Sequence, residues 1–165
     1  MNETINVYGN IPTVTESETN LKKINSYSIR RTLVLVAFFD LIFEIINGFY
    51  YALDNNEKTL PLSYTHFICA AFILAGIYGI NRYNSCSSRL YGIYIVLRIV
   101  SYIAILFSYN LSLFALVFIS LIIILNIWII RLLTIFTGNL QSLSRDDLDS
   151  LKSGWKPNIH TVILI

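Results

Sequence analysis

The run Leu113–Arg131, LFALVFISLIIILNIWIIR, carries a single charge, and that charge is its last residue. A stretch of about 20 mostly apolar residues matches the ~30 Å hydrocarbon core of a bilayer. Three further runs are of the same kind, at about Thr32–Leu53, Ser63–Ile80 and Leu90–Phe107. At these lengths, membrane-spanning helices are favoured over buried core helices. Alternating strands of about ten residues, the mark of a membrane barrel, do not occur. Only 13% of the 165 residues are charged, against about 25% in a soluble domain. With 55% hydrophobic residues and a mean hydropathy of +0.62, the chain is expected to be an all-α membrane protein, a four-helix transmembrane bundle. The net charge of +2 is too small for a nucleic-acid footprint, so no nucleic-acid partner is expected.

Orientation follows from the basic residues, which gather on the cytoplasmic side of membrane proteins. Lys22, Lys23, Arg30 and Arg31 precede the first run, Arg82 and Arg89 lie between the second and third, and Arg131, Arg145, Lys152 and Lys156 follow the fourth. Lys58 alone lies on the opposite side, which puts both termini in the cytoplasm. Three regions are expected: a flexible cytoplasmic tail over 1–31, the membrane domain over 32–136, and a cytoplasmic tail over 137–165. The last contains LQSLSRDDLDSLKSGWKP, where Ser144 with Asp147 reads as a helix cap and Gly154 as a stop. Leu148, Leu151 and Trp155 would line one side of that short amphipathic helix, against the membrane face, the bundle or a partner.

The first thirty residues are polar and acidic, so no signal or transit peptide is expected. Asn at position 2 excludes myristoylation, and no CaaX box ends the chain. Both non-cytoplasmic loops are short, which excludes tetraspanins and claudins and places function within the bilayer or on the cytoplasmic face. Cys69 and Cys86 lie about 25 Å apart along the helix, too far for a disulfide. Cys86, between Ser85 and Ser87 beside the membrane, is a candidate for palmitoylation. Tyr8-Gly-Asn-Ile11 fits the tyrosine sorting form Y-x-x-Φ. Tyr50–Leu53 and Tyr94–Leu97 fit too, but inside the membrane. The sequons at Asn2 and Asn110 are expected to stay bare, one cytoplasmic and the other too close to the bilayer.

Charges inside the spans carry most of the functional information, because each costs about 2.5–3.5 kcal/mol at mid-bilayer. Asp40 and Glu44 share one face of the first helix, continued by Asn47, Gly48 and Tyr51. Arg98 lies in the third, close to Tyr91, Tyr94, Ser101, Tyr102 and Tyr109. Asp40 and Arg98 fall about 12–14 Å deep from the cytoplasmic side. Helices one and three are therefore expected side by side, with Arg98 pairing with Asp40, Glu44 or both. Two acids face one base, so neutrality requires a protonated carboxyl or another cation. Assembly is the first reading of this cluster, a proton or ion path the second, and contact with a partner subunit the third.

Helix two offers small residues at Ala71, Ala75 and Gly79, with Gly76 adjacent, a packing face expected to be used inside the monomer. Asn47 and Asn126 are expected to hydrogen-bond across helices. His66 sits near the outer end of helix two and has no second ligand at metal spacing. No Gly-rich phosphate loop, CxxC, HExxH or GxSxG occurs, and His66 and His160 lie on opposite sides. Intramembrane aspartyl proteolysis lacks its second Asp. The Asp40–Glu44 spacing is similar to the metal-binding acids of phospholipid synthases, without the rest of that pattern. No cofactor, metal or enzymatic activity is expected.

In topology over about Arg30–Arg131 the layout is similar to MARVEL-type and lysosome-associated tetraspan membrane proteins, which implies an accessory, scaffolding or trafficking component. The expected partners are the lipid bilayer and other membrane proteins or a second copy. A proton- or ion-coupled transporter working around Asp40, Glu44 and Arg98 is the alternative, and a lipid-binding or membrane-shaping protein a third. The endomembrane system or plasma membrane is favoured.

Overall fold

From Thr13 to Asn47 the sequence holds no glycine and no proline, so nothing interrupts helical hydrogen bonding there. In the computed structural model, accordingly, one helix, α1, runs over Val14–Leu53. The structure describes residues 14–54, 60–108 and 112–157. Tyr8 and Ile11 of the sorting-like tetrapeptide, Lys58, Tyr109, Asn2, Asn110 and His160 lie outside them. Three more long helices follow, α2 (Leu60–Asn81), α3 (Ser85–Ser108) and α4 (Leu113–Ser142), and then a short α5 (Arg145–Lys152). Among the described residues the fold is all-helical, and α1 to α4 are each long and apolar enough to cross a membrane.

The four long helices form a ring in chain order, α1 against α2 and α4, and α3 against the same two. This sets α1 and α3 across a diagonal rather than side by side as expected. The core between them holds Leu33, Ala37 and Leu41 of α1, Ile73 and Ile80 of α2, Tyr91 and Ile95 of α3, and Ile129, Leu133 and Phe136 of α4. Outward faces are as apolar as the core: Phe38, Phe39 and Ile46 on α1 and Leu121, Ile124 and Leu125 on α4 are all exposed. A water-soluble monomer does not leave a continuous apolar belt of this kind uncovered.

Close helix approach depends on α2. A methyl group added at Gly76 would lie 2.4 Å from Tyr91 Cβ, and one at Gly79 would lie 2.4 Å from the Ser88 backbone nitrogen. The small-residue face therefore packs inside the monomer, but it is not the stripe read from the sequence. Gly76 and Gly79 are buried with Ala70 and Ile73, whereas Ala75 is half-buried and Ala71 is exposed. The contact follows a three-residue step along α2, which a four-residue reading misses.

The connection from α2 to α3 is three residues long. Tyr83 takes a left-handed backbone conformation, φ 50°, which costs a residue with a Cβ roughly 1–2 kcal/mol. Two cushions hold it: the Arg30 guanidinium, 5.1 Å from its ring centre, and Phe136, whose ring is 6.2 Å away. Asn84 then caps α3, its side-chain oxygen accepting from the backbone N–H of Cys86 at 3.0 Å and of Ser87 at 3.3 Å.

The segment expected to be a flexible tail over 1–31 is, from Val14 onward, the first part of α1. With 40 residues at about 1.5 Å each, α1 is roughly twice as long as a bilayer core is thick. Its first half forms a stalk, and α4 runs past Arg131 to Ser142 at the same end. On that stalk α5 docks. Lys23, only 7% exposed, lies 3.3 Å from Asp147 and 4.9 Å from the Trp155 ring centre. Ser144 caps α5 by accepting from the Asp147 backbone N–H at 3.2 Å. Gly154, at φ +99°, ends it, and Leu151 is buried beneath. Trp155 thus meets the stalk.

This docking titrates. Asp147 is held below the usual carboxylate range, first by the Ser144 hydroxyl donating at 2.6 Å; partial burial pushes the other way, and Lys23 adds to the lowering. Because the folded value lies below the unfolded one, the contribution is complete above the unfolded value, about 3.9. It is lost as pH falls through the folded value. In a Trp128→Phe background, Trp155 emission should hold steady from neutral pH down to about 4 and shift to the red below that. Lys23→Ala should produce the red shift at neutral pH. Emission indifferent to Lys23→Ala would show that the stalk does not hold α5.

Candidate functional site: a charge network across three helices

Asp40 and Glu44 lie one turn apart on the inner side of α1, a consequence of their four-residue spacing. Across the diagonal, α3 presents Tyr91, Tyr94, Arg98 and Tyr102 on one face. From α2, His66 reaches in between. Each of the four carboxylate oxygens has one polar partner. Asp40 Oδ1 pairs with Arg98 Nη1, and Oδ2 accepts from the Tyr91 hydroxyl at 2.6 Å. Glu44 Oε1 accepts from the Tyr94 hydroxyl at 2.8 Å, and Oε2 lies 2.5 Å from His66 Nδ1.

Each ion is positioned by its own surroundings. The Arg98 guanidinium sits among aromatic faces, 5.7 Å from Phe43, 5.8 Å from Tyr94 and 5.7 Å from Tyr102. Its Nε also donates to the Tyr102 hydroxyl at 3.4 Å. Aromatic quadrupoles favour a cation that has left water, and the planar guanidinium suits both stacking and the carboxylate. The His66 ring stacks on Tyr51, 5.4 Å between centres and 8° from parallel. That stacking fixes the plane in which Nδ1 meets Glu44.

Comparison with family models, with curated proteins and with solved structures finds no match.

His66 is a second basic side chain beside the two acids, so the network brings two acidic and two basic groups together. Beside this pair opens a crevice of about 300 Å³, lined by Glu44, His66, Cys69, Arg98, Ser101 and Tyr102 among others.

The remaining residues of the expected polar stripe are placed differently. Asn47 is half-buried on α1 and takes no part in the network's hydrogen bonds. Ser101 is exposed and donates to the Leu97 carbonyl of its own helix at 3.0 Å, although it lines the crevice. Asn126 is buried, but its amide donates to the Ile122 carbonyl at 2.8 Å, one turn back along α4, and not across helices. Its side-chain oxygen has no partner among the described residues. Cys86 is exposed in the first turn of α3, and Cys69 is half-buried; both are free thiols. Among the described residues no group of three metal-ligating side chains occurs.

Proposed function

We propose that the chain is a non-enzymatic, multi-pass membrane protein of the accessory, scaffolding or trafficking kind, tetraspan in layout, with both termini cytoplasmic. It works among other membrane proteins or with copies of itself, in the endomembrane system or plasma membrane. What carries this reading is the saturation of the network: every carboxylate oxygen of Asp40 and Glu44 has a polar partner inside the same chain. A cluster so paired ties α1, α2 and α3 together and presents no free nucleophile, base or metal site for catalysis. It also needs no cation from a partner subunit, so association would run through the exposed faces and the stalk. The orientation rests on the basic residues of the stalk, the α2–α3 turn and the end of α4.

Purification in mild detergent at native abundance, with mass and composition read together, tests this. A stoichiometric membrane-protein partner, or a homo-oligomer without transport activity, is the expected result. The Glu44–His66 pair beside an open crevice favours a second reading, a proton- or ion-coupled carrier assembled from several copies. Flux into liposomes that depends on pH and disappears in a folded Glu44→Gln protein would replace the first reading with the second.

A further inference from the structure

Away from the charge network, where α2 passes into α3, a polar cavity of about 710 Å³ opens between the turn, the end of α4 and α5. Its lining includes Arg82, Tyr83, Asn84, Ser85, Gln141 and Lys152 and, among the described residues, no carboxylate. Lys152 is partly neutralised by Asp149 at 3.0 Å. Arg82 has no acidic partner among the described residues; its guanidinium lies 6.0 Å from the ring of Tyr78, itself 61% exposed. The amino end of α3 begins at Ser85 in the same wall, where the aligned peptide dipoles favour an anion, although the Cys86 and Ser87 N–H groups are already taken by the Asn84 side chain. Tyr83 forms another part of the wall. It is only 3% exposed, and its hydroxyl has no hydrogen-bond partner among the described residues, a buried donor left over at the edge of a polar cavity.

We infer that this cavity is a binding site for a phosphate group carried by an anion, with Arg82 as principal counter-charge and Lys152 as second. The chemistry is the same whether the phosphate belongs to a lipid headgroup or to a soluble molecule. The level of the site favours the lipid. It lies where two spanning helices end, beside an exposed tyrosine of the kind that sits at headgroup depth, and its basic and polar lining suits an anionic leaflet, with Asp149 offsetting Lys152 but not Arg82.

The full chain in mild detergent is titrated separately with a short-chain phosphatidylinositol monophosphate, with short-chain phosphatidylcholine and with inorganic phosphate. Bound mass and thermal unfolding are both recorded. The phosphoinositide should bind and raise the unfolding temperature, and phosphatidylcholine should not. Arg82→Gln should weaken binding about tenfold, and Arg82→Gln with Lys152→Gln further. Arg82→Lys should keep most of it, and Arg131→Gln, at the same end of the bundle but outside the cavity, should change nothing. Inorganic phosphate binding as tightly as the lipid, with the same dependence on Arg82, would support the site and assign it to a soluble ligand. Equal binding of the anionic and zwitterionic lipids by the unaltered protein would overturn the site, and that result requires no variant to fold. So would equal weakening by Arg82→Gln and Arg131→Gln.

Discussion

Arg98→Gln is expected to reduce the yield of folded protein more than any other single change in the network, by about 3–5 kcal/mol of stability. The loss comes less from the attraction removed than from what remains. Asp40, whose side chain is 13% exposed, would keep only the Tyr91 hydroxyl against a full charge in an apolar bundle. Asp40→Asn in the same protein should restore part of the loss, because a neutral amide no longer needs the cation. Glu44→Gln should be milder than Arg98→Gln. Glu44→Gln removes a charge and leaves an amide that can still pair with the imidazole, whereas Arg98→Gln strands the Asp40 carboxylate. Thermal unfolding of the four proteins in one detergent measures the difference, and equal losses in the Arg98→Gln single and the double variant would show that the pair is not coupled.

Gly79→Ala should be nearly as damaging, although it adds one methyl group. The added carbon would meet backbone, 2.4 Å from the Ser88 nitrogen and 2.6 Å from the Ser87 carbonyl carbon. A side chain can swing aside, whereas here α2 and α3 must separate as helices. Overpacking of this sort costs typically about 1–3 kcal/mol, and more where backbone must move. Separation would also shift Tyr91 and Tyr94 away from Asp40 and Glu44, so the charge network loosens with it. Gly138→Ala provides the contrast. Nothing lies within 4 Å of its added carbon, and alanine is the better helix former by about 1 kcal/mol. That variant should be at least as stable as the parent. Comparable melting temperatures for Gly79→Ala and Gly138→Ala would remove the close α2–α3 contact from the account.

Some of this was open to inspection in the sequence. Apolar length alone identifies four helices fit to span a membrane, and equal depth from one side suggests that Asp40 and Arg98 meet. His66 escaped because depth was reckoned only from the cytoplasmic side. Reckoned from the opposite loop, Glu44 lies near the end of α1 and His66 near the start of α2, and antiparallel neighbours so joined must face each other. The Ser63 hydroxyl donating to the Gly48 carbonyl at 2.9 Å keeps the same register. The stalk escaped for a different reason. Hydropathy shows where a helix can cross lipid, and Val14–Arg31 is polar. What makes it helical is the absence of any breaker, together with a buried side at Lys23, Ile24 and Ser26 that packing alone reveals. Asn126 shows the limit of residue type as a guide. An amide in an apolar helix must satisfy its donors, and the carbonyl one turn back takes this one.

The unbroken course of α1 means that its two polar stations share one shaft. Lys23, clamped by Asp147 and Trp155, and Asp40, clamped by Arg98 and Tyr91, are about 25 Å apart along the axis, with no glycine or proline between them to act as a swivel. A shaft without a joint cannot turn at one end and rest at the other. The clamp on Lys23 and the clamp on Asp40 therefore hold one and the same body, and a turn imposed at either is carried to the other.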